Sequence, residues 1–206
     1  MAEDASSGLS PHPLRLFVAV DIPDDVRELV RRGVEPIRDR YPQGRWVPSV
    51  NHHVTLMFLG NVRPSAIAPT MDAIGEVAGA QAPFETRVRG LGAFPSARRA
   101  RVLWIGLEDP TERLADLAAG LGEASAPDVV TQTRPFTPHL TVARFEPPVR
   151  LEQELSGLAL QSRPFEVAWL SLYRSDLGRP TPRYEVLATF PFLGPFLGPL
   201  LDPLLG

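Results

Sequence analysis

Apolar residues crowd Leu14 to Asp21 (LRLFVAVD), with charges only near the ends, and this predicts a buried strand. Pro23 then suits a first helical turn. Val26, Leu29, Val30, Val34 and Ile37 recur at helical spacing to about Arg40, with Pro36 near the last turn. Tyr41 to Val50 reads as a loop carrying Pro42, Gly44 and Pro48, and it delivers Trp46 to the next strand. His53 to Gly60 alternates as a strand does, and Pro64 opens a second helix to about Ala80. Phe84 to Phe94 and Arg101 to Leu107 predict an antiparallel hairpin whose loop, residues 95–99, is basic. Glu108-Asp109-Pro110-Thr111 starts a third helix to about Ala124, and Pro127 to Pro135 is a connecting loop. Phe136 to Phe145 is a further strand, and Leu151 to Leu158 is a short helix. Phe165 to Arg174 and Arg183 to Phe190 are the last strands, separated by Gly178, Pro180 and Pro182.

This order predicts an α+β fold with antiparallel pairing, not a doubly wound parallel sheet. Two of the strands carry the same unit, His53-Val54-Thr55-Leu56 and His139-Leu140-Thr141-Val142, and each is followed by a helix. The expected architecture is a bilobal, duplicated fold with helices outside and the two His-x-Thr strands facing a central cleft. One domain is expected over residues 14–191, preceded by a polar tail over 1–13. Residues 192–206 repeat Phe-Leu-Gly-Pro and form a Gly/Pro/Leu-rich tail that is read as loosely packed rather than as an interaction motif.

Composition narrows the chemistry. The formal net charge is −3 and the pI about 5.8, which argues against a broad surface for gripping duplex nucleic acid while leaving room for a small phosphate site. All 21 basic residues are arginine, a sequence-wide bias that also suits bidentate contact with phosphate oxygens. The lack of cysteine excludes thiol nucleophiles, disulfides and cysteine-ligated metals. The lack of lysine excludes a Gly-Lys-Ser/Thr phosphate loop, a Schiff base and a lysine adenylate. Met1 to Pro13 has no basic flank or apolar stretch, and no apolar run reaches the roughly 18 residues of a membrane span. A soluble cytoplasmic protein is expected, with no membrane partner.

The histidines are His12, His52, His53 and His139. Side chains two apart on a strand share a face, so His53 with Thr55 and His139 with Thr141 can surround one small anion. Phosphodiester hydrolysis needs a base to take a proton from water and an acid to give one to the leaving alkoxide; imidazole suits both tasks. Threonine hydroxyls hold the nonbridging oxygens as charge shifts. No metal or other cofactor is required, and there is neither a His-Glu-x-x-His run nor a Gly-x-Ser-x-Gly elbow. His52 alternates away from His53, towards the surface or a supporting place behind the cleft, and His12 lies in the tail.

The two tetrapeptides resemble the signature of the two-histidine (2H) phosphoesterases. The likeness to the RNA 2′,3′-cyclic phosphodiesterase branch, also called 2′-5′ RNA ligase-like, extends through Arg15 to Pro23, Arg45-Trp46-Val47, Leu56 to Gly60, Arg101 to Trp104, Phe136 to Arg144 and Leu172 to Ser175. It implies a metal-independent cleft that opens a 2′,3′-cyclic phosphate at an RNA or oligonucleotide end to a 2′-phosphate. By the same resemblance His53 is the proton donor to the departing 3′ oxygen, His139 the proton acceptor that activates water, and Thr55 and Thr141 hold the phosphate. It further implies reversible, ATP-independent 2′-5′ RNA ligation in some members. The tails depart from the family; a monomer is expected. Arg144 matches a basic position of the second motif, yet strict alternation turns it away from His139. Either the strand bulges there, the favoured reading, or Arg144 is structural. Phe17 is either a base-stacking platform or a core aromatic. Two alternatives stand beside the leading one: a phosphodiesterase for 2′-5′ oligonucleotides or small cyclic nucleotides, and a non-catalytic RNA-end binding module.

Overall fold

Successive residues of the first strand, β1 (Leu14–Asp21), face opposite ways, and the fold is built on that division. Leu16, Val18 and Val20 are buried on one side beneath helices, while Phe17 and Ala19 join a separate small cluster with Tyr173 on the other. The computed structural model describes residues 12–124, 136–178 and 181–194. The expected loop over 127–135 and most of both expected tails lie outside the described residues.

The expected single helix after β1 is two, α1 (Asp24–Gly33) and α2 (Glu35–Arg40). Pro36 has no N–H to return to the Arg32 carbonyl, so the chain breaks at Val34. The expected loop that follows contains β2 (Arg45–Trp46), paired with a later strand; the Trp46 indole donates to the Tyr41 carbonyl at 3.0 Å. β3 (His53–Val62), α3 (Pro64–Gly79), β4 (Phe84–Phe94) and β5 (Ala100–Glu108) follow the predicted pattern. α4 (Arg113–Ala124) begins later than its Asp-Pro-Thr start suggests, because Glu112 sits in the left-handed region at φ 55°. From outside the helix, Asp109 Oδ2 accepts the amides of Leu114 and Ala115 at 3.0 and 3.2 Å. Then come β6 (His139–Val149), α5 (Glu152–Gly157), β7 (Phe165–Val167), β8 (Trp169–Asp176) and β9 (Arg183–Pro191). The strand expected over 165–174 is divided at Ala168, because β7 pairs with β4 whereas β8 pairs with β1 and β9.

The pairings are antiparallel, in the order β7-β4-β5-β6-β3-β1-β8-β9, with β2 also on β6. β7 and β8 are consecutive in the chain yet far apart in this order, with only Ala168 between them. So short a link forces the sheet to curl until its ends approach each other. Phe84 next to β7 accordingly stacks on Phe192 just after β9, centroids 6.2 Å apart.

The duplication is visible in the topology. β1-α1-β3-α3-β4 and β5-α4-β6-α5-β8 are two strand–helix–strand–helix–strand runs, and each half gives its last strand to the other: β4 pairs with β5, and β8 with β1. The halves meet where β3 and β6 adjoin. One apolar cluster, including Val26, Ile74, Leu114, Leu117, Leu103 and Leu172, packs the helices on the face opposite the cleft. Replacing Asp109 with Ala is expected to lower stability by about 1 kcal/mol through loss of the α4 cap, read as a lower urea midpoint at unchanged slope. An unchanged midpoint would contradict that role.

Candidate active site

β3 and β6 begin at their histidines, and the first residues of both alternate faces strictly. Val54 and Leu140 are fully buried on the helix side, so His53, Thr55, His139 and Thr141 face the other way. Val54 and Leu140 are also paired across the two antiparallel strands. That register sets His53 beside Thr141 and Thr55 beside His139. The two histidines occupy a diagonal of a four-residue patch, with diagonal neighbours of a sheet roughly 7–8 Å apart. All four side chains line one cleft of about 660 Å³.

Both rings are held in the same way. His53 Nδ1 lies 2.8 Å from the Asn51 carbonyl and His139 Nδ1 lies 2.7 Å from the Thr137 carbonyl. A carbonyl only accepts, so each Nδ1 carries the hydrogen and each Nε2 is left for the cleft. The Thr55 hydroxyl donates to neutral His53 Nε2 at 2.9 Å. Aromatic rings fix the planes: Phe17 stacks on His53 at 4.8 Å, and Phe94 meets His139 edge-on at 5.2 Å. Trp104 lies 6.0 Å from His139 and occupies the space over Gly92, where a Cβ would fall 2.1 Å from the indole.

Arg144 reaches the cleft through a bulge. Thr141 pairs with Trp104 but Ala143 pairs with Leu103, so β6 holds one residue more than β5 between those pairs. Val142 and Ala143 are both buried, and Arg144 emerges on the side of His139. The same extra residue occurs in β3, where Thr55 pairs with Ala19 but Met57 with Val18; Leu56 and Met57 are buried and Phe58 emerges. His53-Thr55-Phe58 and His139-Thr141-Arg144 are therefore equivalent triplets. Strict alternation hides Phe58 and leaves Arg144 undecided, since a bulge has no mark in either strand's composition.

Burial decides between the two readings of Phe17 and between those of His52. Phe17 lines the cleft but is only 3% exposed, its ring engaged by His53 and by Tyr173 at 5.0 Å, so no base can stack on it. Phe58, 46% exposed at the same cleft, is the available ring. His52 takes the second of its two expected places: the alternation that turns it from His53 turns it inward, behind the cleft, and it is 3% exposed.

Burial governs the electrostatics. It pushes His53 down to about 4, against the opposing pull of the Asn51 carbonyl and the Asp21 carboxylate. Burial also lowers His139, with the Thr137 carbonyl opposing and Arg144 assisting, and it pushes His52 down to about 4. Burial thus favours neutral imidazoles in the cleft, and an entering phosphate anion is what favours a protonated one. Among the described residues no three His, Asp or Glu side chains converge as metal ligands, and no helix is long and apolar enough to cross a membrane.

The family model of the 2′-5′ RNA ligase superfamily matches residues 23–179, a span that contains both His-x-Thr units and both bulges. The chain belongs to the 2′-5′ RNA ligase superfamily. Within this superfamily of 2H phosphoesterases, the chain is 36% identical over 190 residues to an RNA 2′,3′-cyclic phosphodiesterase of Thermus thermophilus, covering 88% of this chain and 91% of the relative. It is 34% identical over 182 residues to an RNA 2′,3′-cyclic phosphodiesterase of Geobacillus stearothermophilus, covering 86% of this chain and 57% of that longer relative. The crystal structure of Escherichia coli LigT complexed with 3′-AMP matches with a TM-score of 0.65 at 28% identity, over 87% of this chain and 98% of LigT.

This superfamily member keeps His52 and His53 neutral by burial, which ties stability to pH. The unfolded chain binds protons near pH 6.5 and the folded one near 4, so stability is whole above 6.5 and is lost as pH falls towards 4. The His52 share is roughly 3 kcal/mol. Chemical denaturation between pH 8 and 4 is expected to show that slope reduced in His52→Leu; an unchanged slope would refute the assignment.

Proposed function

We propose that this chain hydrolyses 2′,3′-cyclic phosphates at RNA ends to 2′-phosphomonoesters by acid–base catalysis between His53 and His139. The observation that carries the reading is the pairing of Val54 with Leu140, which sets two Nε2 atoms and two hydroxyls around one cleft. The activity named for the relatives agrees with it.

In this reading His139 Nε2 takes a proton from water as the water oxygen attacks phosphorus. The P–O3′ bond breaks, and His53 Nε2–H gives its proton to the departing 3′ oxygen. Proton count and charge are conserved, and the two rings exchange protonation states. Thr55 and Thr141 donate to the nonbridging oxygens. Thr55 has to turn for this: once His53 Nε2 carries a proton it no longer accepts the Thr55 hydroxyl, which is then released to the phosphate. Arg144 adds charge-assisted contacts to the same oxygens or the next phosphate, and Phe58 takes the stacking role expected of Phe17. With an RNA 5′-hydroxyl in place of water as the nucleophile, the same step breaks P–O3′, protonates the 3′ oxygen and leaves a 2′-5′ linkage without ATP, and its reverse regenerates the cyclic end. The protein acts as a cytoplasmic monomer in this reading.

The test is turnover of a 2′,3′-cyclic-phosphate oligonucleotide in EDTA, with the product identified. The expected product is the 2′-phosphate, and His53→Ala and His139→Ala each cost about 10²-fold or more in kcat. Arg144→Ala is expected to raise KM about tenfold with a smaller effect on kcat. A metal requirement, a 3′-phosphate product, or full activity in either histidine variant would overturn the proposal.

A further inference from the structure

The two halves of the cleft match in their histidines and hydroxyls but differ in what stands beside each ring. Asp21 on β1 is the residue paired with His53, whereas Gly106 on β5 is the one paired with His139. Directly opposed residues project to the same face of a sheet. His53 therefore has a carboxylate at its side where His139 has no side chain. A Cβ at Gly106 would come within 2.8 Å of the Arg89 carbonyl oxygen, so β5 is built without a counterpart.

Three side-chain donors grip Asp21. Alternate residues of β8 converge on it: the Trp169 indole donates to Oδ2 at 2.8 Å, the Ser171 hydroxyl donates to Oδ2 at 2.6 Å, and the Tyr173 hydroxyl donates to Oδ1. Tyr173 closes the circuit, because its ring stacks on Phe17 and lies 5.8 Å from the His53 ring at an interplanar angle of 27°. The strand pair, the three donors and the ring stack all fix one negative group relative to one histidine.

The geometry points to Asp21 as the positioning residue that makes His53, rather than His139, the acid of the pair. The inference rests on the proposed acid–base reaction and supplies what the two similar motifs lack, a physical difference between them. Asp21 on β1, Arg27 on α1 and His52, turned inward on the adjoining segment, act electrostatically on His53, and the rings of Tyr173 on β8 and Tyr184 on β9 meet its ring. Asp21 favours the imidazolium, while Arg27 and His52 oppose it. At His139 the charged neighbour is Arg144, which favours the neutral ring that a base requires.

The test is a histidine-resolved NMR titration of the full chain with the cleft saturated by inorganic phosphate, alongside pH–rate profiles. In Asp21→Asn the His53 midpoint is expected to fall by about one pH unit, tenfold in proton affinity, while His139 stays put. At neutral pH kcat falls about tenfold with little change in KM, and the alkaline limb of the profile moves to lower pH. Asp21→Glu restores part of that loss. Tyr173→Phe leaves the carboxylate and removes one donor from it, so the His53 midpoint should rise. Both midpoints moving together, neither moving, or a fall in Tyr173→Phe would overturn the proposal. If Asp21→Asn does not fold, the sign in Tyr173→Phe decides. The titration needs no turnover, so a wild-type chain that fails to open a cyclic phosphate would sink the proposed reaction and still leave the Asp21 effect measurable.

Discussion

The antiparallel contact between β3 and β6 at Val54 and Leu140 is the constraint on which the site depends. Both residues are fully buried, so the pairing is secured from the helix side by the apolar cluster while the cleft side stays open. Slip one strand by a residue against the other and its histidine would turn into the core. The exchange of β4 and β8 between the halves protects this contact, because neither half completes its sheet without the other. A duplicated chain thus obtains a symmetric pair of imidazoles on the axis that relates its halves.

Local symmetry carries chemistry that neither half has alone. The Asn51 and Thr137 carbonyls fix the same tautomer in each ring, and matched bulges bring Phe58 and Arg144 to matching places. A reaction that moves one proton in and one out, however, needs unlike partners. The differences lie one strand further out, where β1 carries Asp21 and β5 carries Gly106. Burial then acts on both sides, favouring neutral rings until an anion arrives, so in the proposed reaction the charge of the substrate takes part in preparing the acid.

Much of this was legible in the chain itself. Strict alternation in His53 to Leu56 and His139 to Val142 placed the four candidate side chains on one face, and the repeated strand–helix order foretold the duplication. What local pattern missed or left open was set by strand partners. The bulges at Leu56 and Val142 exist because of register with β1 and β5. The break at Ala168 exists because two neighbouring strands serve opposite ends of the sheet. The burial of Phe17 follows from Tyr173, more than 150 residues away in the chain yet on the adjacent strand. Alternation left His52 between the surface and a supporting place behind the cleft, and the second holds because the face opposite a cleft residue here is the core.

The central claim is that the two imidazoles share a single phosphorus. It is tested most directly by titrating inorganic phosphate into the intact chain while following the Nε2 resonances of His53 and His139 together. The account predicts that both shift along one saturation curve with a stoichiometry of one phosphate per chain, and that His53→Ala weakens the response of His139. Two separate curves, or a response confined to one ring, would contradict it.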